Sequence, residues 1–111
     1  MINETVYNSR DNTAEWLLLS DGAVVPDLAA VSNMILVVGG VEYDASSLGN
    51  LFTWTEQKDY QGELVNVISM QLGKFGIPAG GYGYCRLRVY DQVNTDGVTW
   101  SDDITLDVRD T

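Results

Sequence analysis

Few side chains in this sequence could carry out catalysis or hold a metal ion. The chain has no histidine and a single cysteine, Cys85. The Ser-His-Asp and Cys-His nucleophile systems are therefore excluded, and one thiolate cannot build a zinc site. Asp102 and Asp103 are adjacent, so on a regular strand their carboxylates point to opposite faces and do not pair for glycoside hydrolysis. We expect a protein that is not an enzyme.

The stretch that most resembles a cation site is Asp91-Gln92-Val93-Asn94-Thr95-Asp96-Gly97. Asn94, Asp96 and Gly97 match the middle of a calcium loop, but the first aspartate and the closing glutamate are missing. A hairpin turn rich in Asn and Asp is the favoured interpretation, so we expect no metal. The segment Gly80-Gly81-Tyr82-Gly83 enters a strand, whereas phosphate-binding loops open a helix, so we expect no cofactor either.

Residues 80–91 alternate with a period of two, which is typical of a strand with one buried and one solvated face. The core side is predicted to carry Cys85, Leu87 and Val89. The opposite side carries the candidate interface residues Tyr84, Arg86, Arg88 and Tyr90. Tyrosine and arginine are enriched at protein interfaces, and an arginine stripe on one copy could meet acidic groups on another. The alternative is a plain exposed face whose arginines pair with acids of the next strand, such as Asp103.

Tyr82 begins this strand after a loop, which is the position of a tyrosine that bonds back to the backbone in many β-sandwiches. In a regular strand, however, Tyr82 would share the face of Arg86 and not that of the core residue Cys85, so this role requires a bulge between them. Gly83 tolerates the bulge conformation, so we predict a bulge there. A second bulge, near residues 101–103, would keep Asp102 out of the core while Trp100 and Ile104 face inward.

The remaining chain reads as short strands joined by turns. Strands are predicted at 4–8, 14–19, 32–38, 41–44, 51–55, 64–72, 82–90 and 98–108, with a brief extended piece at 23–25. A tight turn is expected at Asp21-Gly22, one helical turn at residues 27–31, and loops at 45–50 and 56–61. The long helical crossovers that parallel sheets need are missing, so we predict an all-β, antiparallel, immunoglobulin-like β-sandwich of about seven or eight strands. A small closed barrel is the second choice.

The predicted core combines apolar residues from several strands. Its members are Leu18, Leu36, Ile68, Leu87, Val89, Ile104 and Leu106. Phe75 and Ile77, in the loop before the central hairpin, are expected to close one end of it.

The length and net charge of the chain limit its possible functions. The 111 residues predict one domain, residues 1–111, with a net charge of −10. Such a chain repels nucleic acid and anionic membranes, so neither is an expected partner. The start, Met1-Ile2-Asn3-Glu4, has no basic region followed by an apolar core, so we expect no secretion signal.

Several segments resemble small proteins encoded in the structural gene clusters of tailed phages and prophages. The resemblance rests on Pro78-Ala79-Gly80-Gly81-Tyr82, on Leu87-Arg88-Val89-Tyr90-Asp91 and on Asn94-Thr95-Asp96-Gly97-Val98-Thr99-Trp100. It is supported by residues 7–13, Asp21-Gly22 and residues 27–34. It implies an immunoglobulin-like tail, baseplate or head-decoration protein located in the virion or the host cytoplasm, whose partners are other virion or assembly proteins. It carries over no site residues.

Two other functions fit the composition. A carbohydrate or cell-surface binding module would lay aromatic rings flat on an exposed face. The burial of Trp16, Trp54 and Trp100 therefore distinguishes this function from the others. An acidic inhibitor that mimics DNA would need carboxylates in rows at phosphate-like spacing.

Overall fold

The computed structural model describes residues 2–20 and 22–110, without the side chain of Ser20. The strands are β1 (Ile2–Tyr7), β2 (Thr13–Trp16), β3 (Leu19–Ser20), β4 (Ala23–Val24), β5 (Val31–Val38), β6 (Val41–Asp44), β7 (Phe52–Thr53), β8 (Gln57–Tyr60), β9 (Glu63–Asn66), β10 (Ile68–Gln71), β11 (Gly80–Asp91) and β12 (Val98–Arg109). One short helix, α1 (Ala45–Leu48), and 3-10 turns at Gly49–Leu51 and Leu72–Lys74 complete the secondary structure of the described residues. The protein is therefore mostly β.

The largest sheet has the order β1-β12-β11-β5-β6. Its neighbours are antiparallel except for β1 and β12, which run parallel from Ile2 opposite Ile104 to Tyr7 opposite Arg109. The expectation of an entirely antiparallel arrangement is wrong for this pair. The two strands come from opposite ends of the sequence, so the whole intervening chain is their connection and no helical crossover is needed.

A three-stranded sheet, β2-β10-β7, and two hairpins, β3-β4 and β8-β9, make up the other strands. Side chains of both larger sheets join one hydrophobic cluster, as in a sandwich. All seven residues predicted for the core are buried, and so are Phe75 and Ile77. Phe75 stacks between Phe52 and Tyr43, with ring centroids 5.8 and 6.0 Å away, which confirms that it plugs the core.

Helix occurs at a different place from the predicted one. Residues 27–31 form a turn in which Asp27 Oδ1 accepts from the Ala29 amide at 2.9 Å. The helix α1 lies instead in the segment predicted as a loop. The Asp44 carboxylate starts it by accepting the Ser46 amide at 2.9 Å, and Ala45 is buried beneath it. The local cap and the buried contact outweigh the poor helix propensity of the serines.

The polar segment 56–61, predicted as a loop, contains β8, which pairs with β9 from Gln57 opposite Asn66 to Tyr60 opposite Glu63. The strand predicted over 64–72 is interrupted at Val67, where the chain changes pairing partners from β8 to β2 and β7. Val67 and Ile68 are adjacent and both buried, so the period of two breaks at that point.

The predicted Asp21-Gly22 turn falls partly outside the described residues, because Asp21 is not among them. The flanking strands pair as a hairpin, with Leu19 opposite Val24. Across residues 2–20 and 22–110, no helix is long and apolar enough to span a bilayer.

Candidate interaction surface

The predicted faces of β11 are confirmed. Cys85, Leu87 and Val89 are buried, at 1%, 3% and 7% exposure. On the other side, Tyr84 and Arg86 are exposed, and Arg88 and Tyr90 are partly buried. The structure thus brings the four candidate residues onto one strand on the solvent side of the five-stranded sheet, called the outer face below.

A bulge separates the start of β11 from its regular part. Tyr82 lies opposite Leu106 and Cys85 opposite Ile104, so β11 contains one extra residue between these pairs. The bulge is where it was predicted, although Tyr84, with φ of 55°, has the left-handed backbone and not Gly83. Tyr84 is 86% exposed, so the bulge presents its ring to solvent.

The bulge also restores the parity of Tyr82, which packs against the core. Its hydroxyl donates to the Pro78 carbonyl at 2.6 Å, so the predicted hydrogen bond back to the chain is present. The ring lies against the β5–β6 turn, where a Cβ on Gly39 would come within 3.0 Å of it. Gly39 also has φ of 57°, so this turn needs glycine for two reasons.

Arg88 has its ionic partner on β6. Its Nη2 lies 2.5 Å from Glu42 Oε2, and its Nη1 donates to the Tyr90 hydroxyl at 3.2 Å. These two hydrogen bonds raise the pKa of Arg88, so the guanidinium stays charged at any physiological pH. The predicted partner for the stripe was Asp103 of β12; for Arg88 that prediction is wrong, because Thr99 occupies the opposite position.

Two apolar residues of β5 lie beside the arginines on the neighbouring strand. Val37 is opposite Arg86 and Ile35 is opposite Arg88, so each pair shares the outer face. Both apolar side chains are buried, at 4% and 8% exposure, yet neither belongs to the central core cluster. We infer that the aliphatic parts of the arginines cover them while the guanidinium groups reach outward.

Arg86 differs from Arg88 in its charge environment. Within residues 2–20 and 22–110 it forms no ion pair. The β12 segment opposite Arg86 contains the second predicted bulge, between Ser101 and Ile104, and both Asp102 and Asp103 are exposed there. The guanidinium of Arg86 is therefore available for an external carboxylate.

The loop after β11 is organised by one carboxylate. Asp91 Oδ1 accepts from the backbone amides of Asn94 and Val93 at 2.6 and 2.9 Å. The hydrogen bond from the Asn94 amide is the largest of the effects that lower the pKa of Asp91. The ring of Tyr90 lies over Gly97, where a Cβ would come within 2.7 Å. This is an Asx-type turn, and in the described part of the chain no three acidic, Cys or His side chains gather as a metal site.

The remaining candidates for chemistry serve packing. Cys85 is buried, and its burial raises the pKa of the thiol, which disfavours the reactive thiolate. Trp16 is 5% exposed and its indole donates to Glu4, while Trp54 and Trp100 pack against the core.

The sequence did not identify the contribution of β5 and β6 to the outer face. The sequence does contain an indication of it in residues 33–38, because apolar side chains occur on both faces of this strand. Such a strand is buried on both sides, which implies that something covers its outer side. Glu42 could not be paired with Arg88 before the order of strands was known.

Comparison with protein-family models, with curated proteins and with solved structures finds no match.

Proposed function

We propose that this protein is a non-enzymatic, immunoglobulin-like β-sandwich that acts through protein–protein contacts at the outer face, as a component of a phage or prophage virion or of its assembly. The observation that carries the proposal is the composition of this face. An exposed tyrosine and an arginine that forms no ion pair among the described residues adjoin two buried apolar residues of β5.

This composition suits an interface that becomes dry on contact. A partner that displaces water from Tyr84 and Arg86 gains aromatic contact area and a charge-assisted hydrogen bond. The ion pair between Arg88 and Glu42 remains in place and holds the neighbouring surface in one arrangement. The complementary surface carries carboxylates, which a second copy of this acidic chain or another protein can supply.

The virion role rests on the resemblance of residues 78–82, 87–91 and 94–100 to phage structural proteins. It predicts that head or tail genes flank the gene for this chain, and that mass spectrometry detects the chain in purified particles. Neighbouring genes of unrelated metabolism, together with particles that lack the chain, would contradict the role.

The tryptophans give little support to carbohydrate binding. Trp16 is buried and Trp54 and Trp100 are half-buried, so no tryptophan in the described residues lies flat on an exposed face. A DNA mimic receives little support from the outer face, because the carboxylate of Glu42 is paired with a guanidinium.

Light scattering on Arg86→Glu tests self-association through the outer face. We expect the mass of the parent chain to rise with concentration and that of the variant to stay near the monomer, because a carboxylate at this position repels the acidic groups of another copy. Lys74→Glu is the matched control, since it changes the charge equally at a residue outside the outer face. Arg88→Glu is less suitable alone, because it would face Glu42 and uncover Ile35.

If Arg86→Glu and Lys74→Glu lower the apparent molecular mass equally, the cause is the change in net charge and not a contact at Arg86. A variant that keeps the parent's mass would exclude this face from self-association. A parent that stays monomeric at all concentrations would rule out a second copy as the partner.

A further inference from the structure

A hollow of about 380 Å³, called the Trp54 hollow below, lies between the turn at residues 27–31 and the start of β8. The apolar part of its lining consists of the buried Leu28 and the partly exposed Val31 and Trp54. The polar part consists of the exposed Asp27, Thr55 and Gln57. A ligand that suits this lining has one apolar part and one polar part.

Asn66 of β9 fixes the walls of the Trp54 hollow relative to each other. Its Oδ1 accepts from the Leu28 amide at 3.2 Å, and its Nδ2 donates to the Trp54 carbonyl at 3.1 Å. Its own backbone amide donates to the Pro26 carbonyl at 2.8 Å. These bonds join the segment before β5 to the segment after β7, so the hollow is preorganised in the free protein.

Three oxygen acceptors of the polar part have no donor among residues 2–20 and 22–110. Asp27 Oδ1 accepts from the Ala29 amide at 2.9 Å, which leaves Oδ2 of the same carboxylate without a donor. The Thr55 hydroxyl and the Gln57 side-chain carbonyl also lack one. An aliphatic ammonium group carries three N–H donors and no acceptor, so it matches these oxygens in number and in kind.

The charge around the hollow also favours a cation. Among the described residues, Asp27 is the only charged one that lines it. Lys58 follows Gln57 on β8, so its side chain points to the other face of that strand, where it pairs with Glu15 at 3.5 Å. The chain as a whole has a net charge of −10. A carboxylate beside an apolar wall therefore favours a cation with an aliphatic stem over an anion.

We propose that the Trp54 hollow binds an aliphatic ammonium group. The nitrogen donates to the three acceptors of the polar part, and the methylene stem packs against the apolar part. The ammonium group belongs to a lysine side chain of another protein or to a free amine, and the experiment distinguishes these sources. None of the four candidate interface residues lines the hollow, so the site does not depend on the proposed function.

Titration of the full chain with pentylammonium, followed by NMR, tests the proposal. We expect saturable shifts at the backbone amides of Leu28, Ala29 and Asn66, which line the hollow. 1-Pentanol has the same stem without the charge, and methylammonium has the charge without the stem. Each should bind at least about fivefold more weakly, because it loses one of the two kinds of contact. Equal affinity for pentylammonium and for either analogue would overturn the proposal.

A pair of variants assigns the binding to Asp27. Asp27→Asn removes the charge but keeps an oxygen that accepts the Ala29 amide, and it should weaken pentylammonium binding at least about fivefold. Asp59→Asn is the matched control, since Asp59 also accepts one backbone amide, that of Gly62 at 2.9 Å, and does not line the hollow. Equal weakening in both variants would indicate a net-charge effect and would overturn the site.

Lysine with acetyl and methylamide caps identifies the source of the ammonium group, because its caps stand where a protein chain would continue. If capped lysine shifts the same amides with an affinity similar to that of pentylammonium, the hollow accepts a lysine side chain of another protein. If pentylammonium binds and capped lysine does not, the ligand is a free amine. No shift at these amides with either compound would overturn the proposal.

Discussion

Arg88 contributes to the outer face through its charge and through its aliphatic stem. The charge is paired with Glu42 at a partly exposed position, where an ion pair stabilises folding by only about 0–1 kcal/mol. The stem lies opposite Ile35, a buried residue outside the central core. We therefore expect the stem to stabilise the fold more than the charge does, and the charge mainly to fix the shape and potential of the surface.

Two substitutions separate these contributions. Arg88→Met keeps an apolar stem and should lower the free energy of unfolding by about 0–1 kcal/mol. Arg88→Ala also uncovers Ile35 and should lower it by about 1–2 kcal/mol more. Urea denaturation measures both, with Arg109→Ala as a control for the loss of an exposed ion pair. Equal losses in the two Arg88 variants would show that the stem covers nothing of consequence.

At the scale of elements, Asp44 joins three pieces of the chain. It ends β6, caps α1 through the Ser46 amide, and accepts from Asn33 of β5 at 2.9 Å. The hydrogen bond from Asn33, followed by those from Ser46, lowers the pKa of Asp44. A carboxylate with a lower pKa in the folded state stabilises the fold above its unfolded pKa, and this stabilisation is lost as the pH falls through the folded pKa.

Asp44→Asn should therefore reduce stability at pH 7 by about 0.5–1.5 kcal/mol, because the neutral amide oxygen accepts the same hydrogen bonds more weakly at this partly exposed position. As the pH falls below about 4, the ordinary range for aspartate, the parent should lose this advantage and approach the variant. Thermal unfolding of both proteins between pH 7 and pH 2 measures the difference. A difference that stays constant across this range would contradict the assigned role of the carboxylate.

The strands that alternate cleanly could be predicted from sequence, and the places where alternation fails could not. The faces of β11 follow directly from Cys85, Leu87 and Val89, and the bulges follow from the parity conflicts at Tyr82 and Trp100. The break in the strand at Val67 could not be predicted from the neighbouring residues, because it occurs where the chain changes from one pairing partner to another. The parallel β1–β12 pair and the Arg88–Glu42 ion pair depend on strand order, which local patterns do not encode.

At the scale of the whole molecule, the two sides of the five-stranded sheet differ in composition. Side chains on one side join the hydrophobic core, whereas the outer face is built on β11, β5 and β6. The outer face carries Arg86, which forms no ion pair among the described residues, and it is the surface that we propose contacts another protein.

Site-specific photo-crosslinking tests the central claim, that the outer face contacts another protein. A photoreactive amino acid replaces Tyr84, which is 86% exposed, or Leu64, which is 66% exposed on β9, in cells that also express the genes flanking this one. We predict a discrete crosslinked product at position 84, absent at position 64 and reduced by Arg86→Glu. No product at position 84, or equal products at both positions, would contradict the claim.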